Sequence, residues 1–254
     1  MILAIDIGNT NTVLGCFDGD KLIFRERISS NRVATDLEYA SIIKTALDMY
    51  RISFKDIDGA VLSSVVPTMT KTLERAIKKL TGIDTIVVGP GIKTGLSILI
   101  DNPAQLGSDL VADAIGGIKE YPLPQIIIDM GTATTFSVIN KNGAYIGTLI
   151  TAGLSVSQEA LVRATSQLSK VDFETPKHVI GTNTVDSIKS GLMYMNAAGL
   201  DGTIERIEEE LGETCTVIAT GGQADIIAPL CKTKMIVDDD LILKGLWQIY
   251  HKNI

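Results

Sequence analysis

Two short phrases in this chain carry residue types suited to holding phosphate. One is DIGNTNT, residues 6–12; the other is DMGTATT, residues 129–135. Both read D-x-G-x-x-x-T. A glycine just after a strand-end aspartate lets the backbone come close to a ligand. Threonine hydroxyls and turn N–H groups then converge on one place, a phosphate cradle that needs no lysine. Asp6 and Asp129 would serve a cation, since Mg²⁺ takes one or two carboxylates together with phosphate oxygens. Two cradles on opposite lobes suggest a nucleoside triphosphate, its β- and γ-phosphates held by both turns. Either aspartate alone reads equally as a strand-end turn former; the two at repeat-related positions favour the ligand. Other nucleotide signatures are missing. The chain has no G-x-x-x-x-G-K-[ST], and GPGIKTG at 89–95 runs into LSILIDNP rather than a helix, so it reads as a loop.

The elements that must position these phrases repeat as well. Aligning Asp6 with Asp129 brings Gly8 onto Gly131 and Thr12 onto Thr135. A hairpin signal closes each copy, Asp18-Gly19 in the first and Asn142-Gly143 in the second, pairs whose central residues can take positive φ. Each copy therefore reads strand, turn, strand, turn, strand: ILAIDIG, TVLGCFD and KLIFRERI, then QIIIDMG, TFSVINK and AYIGTLI. In DLEYASIIKTALDMYR apolar residues fall at helical spacing, at Leu37, Ile42, Ile43, Ala46, Leu47 and Tyr50. GAVLSSVV reads as a buried strand, Pro67 opens another helix, and DTIVVG is a strand. The second half continues with helices in SVSQEALVRATSQL and VDSIKSGLMYMNAAGLDGTIERIEEELG, the strand CTVIATGG, and helices in QADIIAPL and DDDLILKGLWQIYHKN. The pattern is an internally duplicated β-β-β-α-β-α unit, with a boundary at the helix SDLVADAIGGIKEY. This divides the chain into lobes 1–118 and 119–254.

Composition sets bounds on partners. The 254 residues are 45% hydrophobic and 21% charged, an ordinary globular balance. The formal charge of −7 comes with no Lys/Arg cluster, which argues against a nucleic-acid surface. Three scattered cysteines without a CxxC suggest no disulfide framework and a reducing compartment. Two histidines make a His/Cys metal cluster improbable. No basic n-region with a long apolar stretch opens the chain, and no apolar run approaches the ~20 residues of a membrane span. The expectation is a soluble cytoplasmic protein with neither a nucleic-acid nor a membrane partner.

Duplicated lobes that each open with D-x-G-x-x-x-T resemble the actin-like ATPase and sugar-kinase superfamily. Thr220-Gly221-Gly222 after a strand is similar to that superfamily's adenosine-contacting turn. The whole ordered set resembles the type III pantothenate kinase family: DIGNTNT and DMGTATT its two phosphate motifs, DNPAQLGSD (101–109) its substrate stretch, and GTNTVDSIKSG (181–191) a segment reached from the partner subunit. The resemblance implies an α/β fold of two duplicated ribonuclease H-like lobes facing across a nucleotide cleft. It implies ATP-dependent phosphorylation of the primary hydroxyl of pantothenate, the first step towards coenzyme A. It also implies a homodimer with the acyl substrate at the interface, and both Mg²⁺ and a monovalent cation, potassium or ammonium. Carried residue by residue, it makes Asp109 the catalytic base and Asp129 the monovalent-cation ligand. Asp6, Ile7, Gly8, Asn9, Thr10, Asn11, Thr12, Val13 and Thr132 become ATP contacts. Gly107, Ser108, Asp109, position 110 and Thr184 become substrate contacts, Thr184 in the neighbouring subunit's site. From spacing alone Asp109 is only an acidic residue favoured at a helix start.

Three positions depart from the family pattern. Leu110 stands where an arginine is usual, and leucine cannot replace a guanidinium's planar donors. Ile100 replaces a tyrosine, and GTLITAG at 147–153 replaces a G-G-x-x-x-P-G loop. All three lie on the acceptor side or its supporting loop. ATP binding is therefore expected to be kept and the acceptor site altered and less polar. Three readings stand open on the sequence: a pantothenate kinase, a kinase of the same fold with another hydroxylated acceptor, and a non-catalytic ATP-binding regulator. An intact Asp109 favours the first two; the lost arginine and tyrosine favour the last two.

Overall fold

Each copy of the repeated phrase folds as a three-strand antiparallel meander whose first strand also pairs in parallel with a later one. The computed structural model describes residues 1–254. In chain order its elements are β1 (Ile2–Ile7), β2 (Asn11–Asp18), β3 (Lys21–Ser29), α1 (Asp36–Met49), β4 (Gly59–Ser64), α2 (Pro67–Thr81), β5 (Thr85–Val87), β6 (Ser97–Ile98) and α3 (Ser108–Glu120). They continue with β7 (Gln125–Met130), β8 (Ala133–Ile139), β9 (Ala144–Ala152), α4 (Leu154–Ala164), α5 (Thr184–Leu211), β10 (Thr216–Thr220), α6 (Ala224–Ile227), β11 (Ile236–Val237) and α7 (Leu241–His251). The first sheet runs β3-β2-β1-β4-β5; the second runs β11-β10-β7-β8-β9-β6. Apart from the short added strand β6, the two orders are the same with β7–β11 in place of β1–β5.

The chain forms two compact units. The first holds Met1–Leu96, Asp101–Glu120 and Asp240–Ile254; the second holds Ser97–Ile100 and Tyr121–Asp239. A single cut after residue 118 assigns the terminal helix to the wrong unit. Packing explains why: α7 lies against α3, with Gly245 so close to Ala112, and Gly116 to the Leu241 carbonyl, that neither could carry a side chain. A two-sided glycine contact of this kind lets helix backbones approach closely.

In the first unit Leu3, Ile5 and Ile7 alternate onto one sheet face, where Tyr39, Ile43 and Leu47 of α1 and Met69, Leu73 and Ile77 of α2 cover them. The apolar stripe of α1 differs from the expected one. Tyr39, Ala40, Ile43, Ala46 and Leu47 are buried, while Leu37 is 62% exposed. A Thr35–Glu38 capping box fixes the helix start and so its rotation. The opposite sheet face meets α7: Gly15 packs on Leu243 and Gly59 on Tyr250. In the second unit Ile126, Ile128, Met130, Phe136 and Val217 form a core with Leu154 of α4 and Met193, Leu200 and Ile204 of α5.

The hairpins use glycine differently from the simple expectation. Asp18 pairs with Lys21, so Gly19 and Asp20 form the turn, and only Gly19 has positive φ, at 60°. In the second copy Asn140 accepts the N–H groups of Asn142 and Ala144 on its side chain, and Gly143 alone takes positive φ, at 73°. The ladder beside it shifts register between Val138 and Ile139, as a bulged hairpin does.

Candidate active site

The parity of β1 decides which side chains of the first motif are available. Asp6 lies two residues from Ala4, on the face covered by α7, whereas Ile7 is wholly buried in the α1/α2 core. The turn occupies residues 8–11. Gly8 N–H donates to the Asn11 carbonyl at 2.9 Å, and a Cβ on Gly8 would sit at 2.9 Å from that same oxygen. Asn9 and Thr10 are exposed at its tip. Thr12 is wholly buried, and its hydroxyl lies 3.0 Å from the Ser30 hydroxyl. Of the expected ATP contacts, Ile7 and Thr12 thus have their side chains occupied inside the unit and only backbone left to offer.

Asp109 stands at the start of α3, and a serine chain ties it to the first motif. Ser63 on β4 is the parallel partner of Asp6 on β1. Its hydroxyl donates to the Ser108 hydroxyl at 3.0 Å, which also accepts the Ser64 N–H at 3.1 Å and donates to the Ser64 carbonyl at 3.2 Å. Ser108, expected as a substrate contact, therefore has its side chain committed to β4. The Asp109 carboxylate accepts the Leu110 N–H at 2.8 Å. A side chain at Gly107 would collide with that carboxylate, so glycine keeps the space open. Burial pushes the Asp109 carboxyl above its ordinary pKa, opposed by hydrogen bonds from backbone N–H groups. Leu110 itself is 9% exposed, so its side chain is packed inside rather than displayed.

The second motif is built by close backbone packing. Gly131 N–H donates to Ala133 at 3.0 Å, and Gly153 N–H to the Thr132 carbonyl at 3.0 Å. Gly221, at φ 88°, lies against the Asp129 carboxylate and the Met130 backbone; Gly153 lies against the carbonyls of Gly131 and Thr132. On the neighbouring strands Thr135 and Thr220 stand directly opposite Asp129. The Thr135 hydroxyl is buried without a hydrogen-bond partner. Gln223 braces the same corner: its N–H donates to the Met130 carbonyl at 3.2 Å, its amide oxygen accepts the Leu154 N–H at 3.3 Å, and its amide nitrogen donates to Ser155 at 2.9 Å.

The expected match of Thr12 with Thr135 does not survive the register. Ile7 pairs with Thr12 and leaves four residues in the turn, whereas Met130 pairs with Thr134 and leaves three. Thr134 is the structural counterpart of Thr12; Thr135 corresponds to Val13.

Elsewhere in the second unit, Thr184 opens α5 behind the N-cap Asn183, whose side chain accepts the Asp186 N–H at 2.9 Å. Thr184 lines a cavity of about 560 Å³ with Leu161, Leu168, Gly181 and Ile188. Burial pushes the Cys16 and Cys215 thiols up to about 11, and Cys231 to about 12; all three are free and protonated at neutral pH. Sequence reasoning missed Ser30, Ser63 and Gln223. A serine pair at the end of a buried strand is the only signal for Ser63, and nothing in the sequence marks the other two.

The profile of the type III pantothenate kinase family matches residues 2–206. A type III pantothenate kinase of Halalkalibacterium halodurans is 42% identical over 254 residues, covering 100% of both chains. Among solved structures, the activator of the 2-hydroxyisocaproyl-CoA dehydratase from Clostridium difficile, with bound ADPNP, matches with a TM-score of 0.54 at 14% identity, covering 99% of this chain and 94% of that one. A ROK hexokinase from Thermus thermophilus matches with a TM-score of 0.50 at 10% identity, covering 99% and 98%. These likenesses show the fold: duplicated α/β lobes of the actin-like ATPase and sugar-kinase kind.

Proposed function

We infer how these residues divide the work from one premise: the chain belongs to the type III pantothenate kinase family. The enzyme is a phosphotransferase that uses ATP to phosphorylate pantothenate in coenzyme A biosynthesis. In our reading Asp109 is the general base. The observation that carries this is the Asp6–Ser63–Ser108 connection, which fixes the start of α3 to the strand beside the first phosphate turn. A carboxylate there can accept the proton of the attacking hydroxyl while the turn N–H groups face phosphate. The raised Asp109 pKa makes it a better proton acceptor than an ordinary aspartate, provided it is ionised.

Asp6 would hold Mg²⁺ and Asp129 the monovalent cation, potassium or ammonium. The residues fit. A single carboxylate is enough for a Mg²⁺ carried mainly by nucleotide oxygens and water. At Asp129 the unpartnered Thr135 hydroxyl supplies a second oxygen on the same sheet face. Bound cations would neutralise charge on the transferring phosphoryl group. Gly8, Asn9, Thr10, Asn11 and Thr132 would meet the phosphates, Val13 and the peptide groups of Ile7 and Thr12 lying behind them. Gly107, Asp109 and the backbone of Ser108 and Leu110 would meet pantothenate. Since Leu110 is packed inside, the missing arginine removes donors without walling the acceptor site in leucine.

A homodimer is supported by the second unit. Ile150 is 68%, Ile180 82% and Met195 74% exposed on β9, before α5 and on α5, apolar side chains that a partner subunit would cover. Thr184 would then serve the partner's site. No helix is long and apolar enough to cross a membrane; we place the enzyme in the cytoplasm, without a nucleic-acid partner for a chain of formal charge −7.

The test is transfer of labelled γ-phosphate from ATP to pantothenate with Mg²⁺ and potassium, beside Asp109→Asn. Label in phosphopantothenate that disappears in the variant supports the assignment. Transfer undiminished in the variant removes Asp109 as base.

A further inference from the structure

The first phosphate turn is held from outside its own motif. Ser30, the residue after β3, makes three bonds to it. Its N–H donates to the Thr10 carbonyl at 2.9 Å, its hydroxyl donates to the Gly8 carbonyl at 2.7 Å, and that hydroxyl lies 3.0 Å from the Thr12 hydroxyl. Ser30 is fixed in turn from the core. The Asn31 N–H donates to the Tyr39 oxygen at 2.9 Å, and the Tyr39 hydroxyl donates to the Asn31 carbonyl at 3.0 Å. Tyr39 is 1% exposed, so this pair of hydrogen bonds to the Asn31 backbone is made out of reach of solvent. Arg32, two residues on, donates to the Asn9 side chain at 3.0 Å.

We propose that Ser30 is a positioning residue for ATP, one that turns the Gly8 and Thr10 carbonyls away from the phosphates and so presents the donors of the turn. The proposal rests on reading that turn as the ATP-phosphate site. A carbonyl facing a phosphate repels it. In a planar trans peptide the carbonyl and the following N–H point opposite ways. Drawing the Gly8 oxygen to Ser30 therefore directs the Asn9 N–H away from Ser30, at the exposed tip of the turn. Oriented peptide N–H groups are what an anion needs where no lysine is supplied. The second turn has no such clamp: Gly153 takes the equivalent place, bonding Thr132 through its N–H and offering no hydroxyl.

The experiment measures calorimetric affinity for a non-hydrolysable ATP analogue with Mg²⁺, and KM for ATP and for pantothenate separately, in Ser30→Ala, Ser30→Thr and Asp6→Asn. Ser30→Ala should weaken analogue binding and raise KM for ATP about five- to tenfold, since the hydroxyl's contacts with the Gly8 carbonyl and the Thr12 hydroxyl are both lost. KM for pantothenate should stay within about twofold, and Ser30→Thr, which keeps a hydroxyl, should restore ATP binding. Tyr39→Phe removes only the hydroxyl that pins Asn31 and should raise KM for ATP about two- to threefold. Wild-type ATP affinity in Ser30→Ala, with loss in Asp6→Asn, overturns the clamp and leaves the turn's assignment standing. Wild-type affinity in both overturns the assignment and the clamp with it. Equal rises in both KM values, or no rescue by threonine, reduce Ser30 to a structural residue. If Ser30→Ala fails to fold, unchanged ATP binding in Tyr39→Phe overturns the proposal.

Discussion

After Asp6 the chain uses four residues to turn; after Asp129 it uses three. In a strand a one-residue difference sends every following side chain to the other face. Thr12 accordingly points into the core side and joins Ser30, while Thr135 stands beside Asp129 with its hydroxyl unpartnered. The means of support differ as well. Hydroxyls from Ser30 and Thr12 brace the first turn, and glycines at 153 and 221 let backbone press against the second. Identical letters at repeated positions therefore carry different tasks: the first turn is oriented by hydrogen bonds, the second is fixed by shape.

The largest expected effect falls on the first unit, which alone carries the proposed base. Asp109→Asn should lower kcat by about 10²–10⁴, the usual contribution of general acid–base catalysis. It should do so while gaining stability at neutral pH. Burial raises the folded-state pKa of Asp109, so the folded protein holds this proton more tightly than the unfolded chain. The resulting stabilisation is full below the unfolded pKa and is lost as pH rises through the folded one. Asparagine, neutral throughout, escapes that loss. Thermal unfolding of both proteins at acid and neutral pH checks the sign: the variant's advantage should appear only at the higher pH. The wild-type rate should also fall on acidification at a pH above the ordinary carboxylate range.

A smaller loss, and of another kind, is expected at the second turn. A Cβ on Gly221 would meet the Asp129 carboxylate and Met130 backbone, at a φ of 88° that alanine resists. Gly221→Ala should cost about 2–4 kcal/mol of stability, or roughly 5–15 °C in Tm at this chain length. Gly8→Ala meets a single carbonyl oxygen and lacks the positive φ, so it should cost about 1–2 kcal/mol while weakening ATP binding. A melting series that ranks these two the other way round would break the distinction between a shape-fixed and a bond-oriented turn.

Much of this was legible before the structure. The repeat, the strand-turn-strand grammar and the order of motifs rest on short-range residue types, and these placed both sheets' meanders. Packing decided the rest. That α7 belongs with the first unit depends on Gly116 and Gly245, read as ordinary helix interior until two helices meet there. The rotation of α1 depends on which residues face the sheet, and Leu37 fitted the period while facing solvent. At the site, letters located the aspartates but not their register. Aligning Thr12 with Thr135 assumes turns of equal length, and a hairpin's loop length is set in three dimensions. Ser30, Ser63 and Gln223 act through hydrogen bonds to side chains and backbone distant in the chain, which no spacing rule encodes.

The smallest effect gives the sharpest test of the comparison. Thr135 and Val13 occupy equivalent places opposite Asp129 and Asp6. Removing the Thr135 hydroxyl by Thr135→Val keeps its volume and deletes a buried polar atom without a partner. Such a change is neutral or slightly stabilising, because the desolvation cost of the unpaired hydroxyl goes with it. Melting should therefore be unchanged or rise by about 1 °C. If that hydroxyl serves the cation at Asp129, the potassium concentration for half-activation should rise about two- to fivefold, with ATP affinity at saturating potassium unaffected. The reciprocal Val13→Thr supplies the hydroxyl beside Asp6, where the first turn has no use for it, and should leave the potassium response alone. A potassium response altered by Val13→Thr and untouched by Thr135→Val would mean that the two turns had been assigned the wrong way round.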